Sequence, residues 1–282
     1  MRKDKLYQTI GFWASRIAIM IALGFLGLII FYITEQGIGI ISWNFLTRSP
    51  EIPGGGIFPQ LVGTLLLVGL VIVFTVPIGV MTAIYLSEYA SQESRLTSWV
   101  TQAVYNLRGV PSIVIGLFAM AFFVNTLFGE GLLSGALALS LIALPTVIVT
   151  SLEALRSVPD SFRKASAALG ASRGETVRKA VIRPAFPGII TGGILGVGEA
   201  AGETAPLLFA GAYFHMAGIP SSLLGPFSAL PYHLYELMAS ATNIQEARPF
   251  AFGEAFVLLG VVLSFYLAAT IIRNYYREKR EW

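Results

Sequence analysis
Apolar residues in this chain fall in long blocks, not in the short alternations that line a soluble core. Runs at 17–33, 61–85, 110–128, 132–150, 187–210 and 252–272 approach or exceed the length that crosses about 30 Å of hydrocarbon as a helix rising roughly 1.5 Å per residue. Six such runs predict six transmembrane helices and both termini on one side. The turn Gly129-Glu130-Gly131 makes the third and fourth spans an antiparallel hairpin, and Pro77 predicts a kink in the second. Between the second and third spans, Leu96, Trp99, Val100, Ala103 and Val104 recur at three- and four-residue spacing, the pattern of a surface helix. The stretch 34–59, with Trp43, Pro50, Pro53 and Gly54-Gly55-Gly56, reads as a loop with an interfacial aromatic anchor. In 213–249, Gly218, Pro220, Gly225, Pro226, Pro231 and Pro249 break any long helix.

Composition supports the membrane reading and charge orients it. The chain is 55% hydrophobic and 12% charged, with mean hydropathy +0.72, more apolar than a soluble domain of 282 residues needs. Of its 19 Lys and Arg, 17 fall at the N-terminus, in 86–109, in 151–184 or at the C-terminus; Arg48 and Arg248 lie on the other side. That asymmetry puts both termini and the 151–184 loop of a multi-pass membrane protein in the cytoplasm. The net charge of +3 sits at helix ends, so no nucleic-acid partner is expected. A basic start before an apolar run also describes a signal peptide, but no small-residue cleavage site follows in FYITEQGIGI.

The 151–184 loop reads as helix, glycine turn, helix. Asp160 or Ser161 is placed to cap a first helix to about Leu169, Gly170 to end it, and Ser172 to cap a second to about Ile182, before Pro184 and Pro187 stop it. Two short helices with little core of their own either need a partner to bury their apolar residues or form a connector lying on the membrane surface. The fifth span carries Glu199 and Glu203 near its middle, four residues apart and so on one helix face, beside Thr204 and Pro206. Each carboxylate costs about 2.5–3.5 kcal/mol at the bilayer centre, and together they repel an anion, so they do not form a bare anion site. Arg108, at the start of the third span, lies roughly 16 Å away in depth and does not reach them. The same span carries Gly192, Gly196, Gly198 and Gly202, small-x3-small pairs that predict close helix packing.

KASAALGASRGETVRKAVIRPAFPG resembles the cytoplasmic EAA loop of binding-protein-dependent ABC importer permeases. The matching places Lys164, Ala165 and Ser166 at the Glu-Ala-Ala positions and Gly170 at the glycine, with Glu175 in the helix that follows. Lys164 stands where the family has Glu, so an ATPase ion pair through that Glu is not carried over; Arg183-Pro184 stands where Leu-Pro is common. GGGIFPQLVGTLLLV, NLRGVPSIVIGL, GETAPLLFAGA and SALPYHLYELM extend the resemblance to the phosphate-transport subtype, which pairs with a second, homologous permease. Glu199 occupies a position where that subtype often has arginine, and Arg108 one where it often has alanine.

The resemblance implies the type I ABC importer permease fold, all α, with an N-terminal tail, first helix and outer loop at 1–60, a five-helix core at 61–273 and a tail at 274–282. Within the core, the EAA loop spans 153–184 and the outer loop 213–249. It implies an ATPase-docking loop at Lys164, Ala165, Ser166, Gly170 and Glu175, and a translocation path or permease interface at Glu199, Glu203, Thr204 and Arg108. Implied partners are the second permease, an ATPase dimer that binds the ATP, an external phosphate-binding protein and membrane lipid. Sulfate, molybdate and tungstate remain open as alternative cargo.

The residues themselves bound the chemistry. The chain has no Gly-x4-Gly-Lys-[Ser/Thr] loop, so hydrolysis of ATP needs another subunit. With no cysteine and only His215 and His233, both in the outer loop and read as packing residues, neither a catalytic nor a metal site is expected. A secondary transporter would show a second broken helix in an inverted repeat, and GETAP occurs once. A scaffold that reports transporter occupancy to cytoplasmic signalling is the third class.

Overall fold
The computed structural model describes residues 2–50, 55–91, 93–214, 216, 218–240 and 244–278; Pro53, Gly54 and His215 lie outside the described residues. In chain order the helices are α1 (Arg2–Gly37), α2 (Trp43–Thr47), α3 (Phe58–Ile84), α4 (Arg95–Leu107), α5 (Ser112–Ala119), α6 (Leu132–Arg156), α7 (Asp160–Ala168), α8 (Arg173–Thr176), α9 (Ile182–Ala201), α10 (Leu207–Ala210), α11 (Leu230–Ala239) and α12 (Ile244–Glu278). Wide π-turns prolong α3 over Tyr85–Tyr89 and α5 over Met120–Phe128, and a third, Val177–Val181, joins α8 to α9.

Five stretches can each cross a bilayer alone: Gly11–Ile40, Phe58–Tyr89, Leu132–Arg156, Arg173–Ala201 and Ile244–Tyr276. A sixth candidate span is the pair formed by α4 and Ser112–Phe128, bent by 106° between its two parts. The bend falls at Pro111, which disfavours helical backbone at the residue before it. It turns α4 away from the direction of α5, with Trp99 75% exposed.

α6 is the central helix, sandwiched between α3 and α9. Gly188, Gly192 and Gly196 line one side of α9 and lie on Ala154, Thr150 and Val147 of α6, while Gly79 of α3 packs on Val147 from the other side. Small residues let backbones approach where lipid offers no hydrophobic drive for association. Of the predicted glycine pairs, Gly192 and Gly196 act this way. Gly198 instead faces Tyr266 of α12, and Gly202 has left the helix. Some hydroxyls inside the bundle bond back to their own helix, as Ser140 does to the Ala136 carbonyl (2.7 Å) and Thr191 to that of Pro187 (2.9 Å). α1 leans on α12, with Gly37 against Phe252 and the Tyr32 ring edge-on to Phe252 at 5.4 Å.

Several boundaries differ from those read in the sequence, and prolines explain most of them. The second loop helix does not stop at Pro184 and Pro187 but runs on into the fifth span. In the π-turn, Ile182 N–H reaches back to the Val177 carbonyl, so the hydrogen-bond rows slip just before Pro184, whose ring would otherwise strike the carbonyl four residues back. α12 begins at Ile244, ahead of Pro249, which lies in its second turn and costs it one backbone hydrogen bond without ending it. Conversely, the fifth span ends at Ala201 and not near Ala210. α7 begins at Asp160, with Pro159 at the cap position and no side-chain cap from Asp160 or Ser161.

The 213–249 segment is not only a surface loop. Phe227 is fully buried against Leu67 and Gly135, the Leu230 N–H donates to Thr64 Oγ1 (2.8 Å), and Gly63 abuts the Ser228 backbone. The chain thus re-enters the bundle beside α3 before α11 leads it out.

Candidate functional site
Gly170 ends α7 at φ +81°, a left-handed geometry that glycine adopts without strain. Gly170 N–H donates to the Ala167 carbonyl (3.0 Å) and Ala171 N–H to that of Ser166 (3.2 Å), the paired closure of a Schellman turn. Two residues on, Ser172 and Glu175 form a reciprocal capping box that starts α8. Glu175 therefore has a structural task here, and it also pairs with Lys179 at 3.5 Å. Ser166 and Thr176 hydroxyls, 2.9 Å apart, join the two helices. Lys164, Ala165 and Gly170 are exposed, and Leu169 at the tip is 89% exposed. This is a pre-shaped convex face with an apolar point, of the kind a groove in another protein receives. Leu169 was not singled out in the sequence, although a leucine directly before the turn glycine is the available signal.

Behind that face lies an open cleft of about 630 Å³, lined by Ser87, Glu88, Arg156, Asp160, Arg163 and Arg173 among others. Arg163 crosses it to grip Glu88 with both arms of its fork, Nη2 at 2.7 Å and Nε at 3.1 Å. The same guanidinium donates to the Val158 carbonyl (2.7 Å) and the Leu155 carbonyl (3.1 Å) beyond and within the last turn of α6. Hydrogen bonding to Glu88 holds the Arg163 guanidinium further above its ordinary range, so it stays charged at any physiological pH. Arg173 donates to the Glu88 backbone carbonyl and stacks over Tyr89 at 5.0 Å.

The second candidate region is the break after Ala201. Gly202 and Glu203 N–H groups turn back to the carbonyls of Glu199 and Ala200, three residues behind, and Pro206 bars resumption of a regular helix until α10. Glu199 and Glu203 consequently do not share a helix face: Glu199 is on α9 and Glu203 is in the break. Glu199 is exposed and accepts a hydrogen bond from Thr146 Oγ1 (2.8 Å). Glu203 is half-buried in a narrow crevice with Thr64, Leu207, Ala229 and Pro231, and Thr204 Oγ1 donates to the Pro231 carbonyl (3.3 Å). Thus Glu203 and Thr204 lie beside the start of α11, Glu199 sits against Thr146 of α6, and Arg108 is exposed at the C-cap of α4. Among the described residues no ion pair joins Arg108 to either carboxylate. His233 is a buried packing residue, with its ring on Phe214 at 4.8 Å and Nδ1 2.8 Å from the fully buried Glu254.

Residues 75–278 match the model of the family described as binding-protein-dependent transport system inner membrane component. The phosphate transport system permease protein PstA 1 of Mycobacterium tuberculosis is 38% identical over 82% of this chain and 75% of its own length. A probable ABC transporter permease protein of Bacillus subtilis, YqgI, is 35% identical over 84% of this chain and 85% of its own. Haemophilus influenzae PstA, a phosphate transport system permease protein, is 34% identical over 80% of each. Among solved structures, the MetNI methionine ABC transporter in an inward-facing conformation superposes with TM-score 0.60 at 19% identity, covering 78% of this chain and 94% of that one. A bacterial ABC transporter for import of the acidic polysaccharide alginate gives TM-score 0.60 at 17% identity, covering 96% and 98%. Those likenesses establish the fold. Together with the family match over most of its length, they make this chain a multi-pass inner-membrane permease of the binding-protein-dependent ABC importer family.

Proposed function
We propose that this permease passes inorganic phosphate across the cytoplasmic membrane, paired with a second, homologous permease and fed by an external phosphate-binding protein. The observation that carries the reading is the run of phosphate permeases among its relatives, at 30–38% identity over 80% or more of this chain. As a permease it is the non-catalytic subunit of a complex with an ATPase and a binding protein, and the ATP is bound by the ATPase. We assign ATPase docking to the α7–Gly170–α8 face, with Lys164, Ala165 and Ser166 on the first helix and Glu175 holding the second in shape. We assign the path, or its border with the second permease, to Glu199, Glu203 and Thr204. Glu203 needs a cationic partner if an oxyanion is to pass, because two carboxylates repel it. The partner permease is the source of that cation in this reading, and Arg108 serves at the cytoplasmic mouth. The core that does this is 61–273, with 1–60 and 274–282 as flanking segments.

ATP hydrolysis by the complete complex, measured with binding protein loaded in turn with phosphate, sulfate and molybdate, tests the cargo. Stimulation by the phosphate-loaded protein is expected. Stimulation by the sulfate- or molybdate-loaded protein alone replaces phosphate with that anion and leaves the permease assignment standing.

A further inference from the structure
The π-turn Tyr85–Tyr89 ends the second span, and both cytoplasmic helices hold it. Arg163 of α7 takes both Glu88 carboxylate oxygens in its fork. Arg173, the first residue of α8, takes the Glu88 backbone carbonyl and covers Tyr89. Arg163 also ties in the end of α6 through the Leu155 and Val158 carbonyls. One glutamate thus gathers α3, α6, α7 and α8 at one point. The Glu88 side chain is only 7% exposed and that of Arg163 23%, so water competes weakly for these bonds. Beside it the cleft is open, and this point is a polar tie across it, next to the apolar packing of Leu86 with Val158 and Val181.

A span that ends in a π-turn is a natural place for a helix to change register, because wide turns shift the hydrogen-bond rows by one residue. A shift at α3 reaches far. Thr64, at the opposite end of α3, accepts from Leu230 N–H, and Pro231 beside it accepts from Thr204 in the break of the fifth span. The second span therefore touches the docking helices at one end and the re-entrant segment against Glu203 at the other.

We infer that Glu88 is a positioning residue that transmits movement of the ATPase-docking helices to the second span, through its two-arginine clamp by Arg163 and Arg173. This rests on the docking role given to α7 and α8 and is independent of which anion is carried. When the ATPase subunits move the helix pair, the clamp pulls α3 with it, and the far end of α3 moves the Leu230–Pro231 segment. Without the carboxylate, α7 and α8 still dock, but α7 loses its grip and Arg173 alone, on the Glu88 backbone carbonyl and the Tyr89 ring, holds the end of the span, so the helix pair moves over it more freely.

The test uses the complete complex of both permeases, ATPase and binding protein in lipid vesicles. Glu88→Gln keeps shape and removes charge; Arg163→Lys keeps charge and removes the fork. In Glu88→Gln the ATPase should co-purify in unchanged amount and basal hydrolysis should persist, while stimulation by loaded binding protein falls on the order of tenfold, the scale set by loss of one charge-assisted pair. Arg163→Lys should fall between this variant and the parent. The chain has no cysteine, so spin labels on Ser91→Cys and Ser161→Cys report one distance without background. That distance should stay fixed between nucleotide-free and ATP-bound states in the parent and spread in Glu88→Gln. Parent-like stimulation and a fixed distance in Glu88→Gln overturn the inference. So does loss of ATPase co-purification or an equal fall in basal and stimulated rates, since either makes Glu88 a support of the docking face and no more. If the parent complex responds to another anion, the cargo fails and the distance measurement stands; if the parent's ATPase does not contact α7 and α8, the docking reading itself fails.

Discussion
Gly170 shows how one residue's backbone shapes the docking face. A Cβ there would meet no atom within 4 Å, so a substitution is penalised by its positive φ and not by a clash. Left-handed backbone costs an ordinary residue about 1–2 kcal/mol, more for a β-branched one and less for Asn. Gly170→Val is expected to leave insertion into the membrane intact and to lower transport per ATP hydrolysed severalfold, with Gly170→Asn close to the parent. Equal coupling ratios in both variants contradict that role. Ser172→Ala removes one half of the capping box and should cost the complex about 1 kcal/mol of stability, read as a lower melting temperature. Glu203→Gln should impair uptake and weaken co-purification with the partner permease. Glu199→Arg should be tolerated, because Glu199 is exposed and, among the described residues, held by one hydrogen bond from Thr146. Normal assembly and uptake in Glu203→Gln defeats the pairing assigned to it.

At the scale of elements, long apolar runs made the spans legible, and the Gly170 and Ser172 signals made the cytoplasmic turn legible. Proline positions misled, because their effect depends on the turn around them. Pro184 follows a π-turn and Pro249 lies near a helix start, so both helices continue. Pro206 follows Gly202 and Glu203, where the chain has already turned, and the helix stops. The clamp at Glu88 has no spacing signal: its partners are 75 and 85 residues away, and a lone glutamate at the end of an apolar run reads as a solvated flank. The re-entry of 227–230 was equally hidden, since a Gly- and Pro-rich stretch has no period to read. The α9 glycine stripe gives a direct test of element packing. A Cβ on Gly196 would lie 2.7 Å from Val147 Cγ2 and 2.9 Å from the Ala143 carbonyl, whereas one on Gly260 meets nothing within 4 Å. Gly196→Ala should therefore lose about 1–3 kcal/mol, the usual cost of overpacking, and Gly260→Ala nothing. Thermal melting in detergent compares them, and equal melting temperatures refute close packing of α9 on α6.

Over the whole molecule, the division of labour follows from what this chain holds. Its cytoplasmic face offers a convex helix pair, its core a set of helices packed through small residues, and its far half a re-entrant segment against a broken span. None of these carries a nucleotide-binding loop, so movement has to be delivered from outside, and in the proposed reading the α7–α8 pair is the point of delivery. The measurement that tests this most directly is radiolabelled phosphate uptake into vesicles holding both permeases and the ATPase, with binding protein outside, ATP inside and no ion gradient. Uptake that requires ATP, the ATPase and the binding protein together is the predicted result. Phosphate entry driven by an imposed proton or sodium gradient in vesicles lacking the ATPase would contradict it.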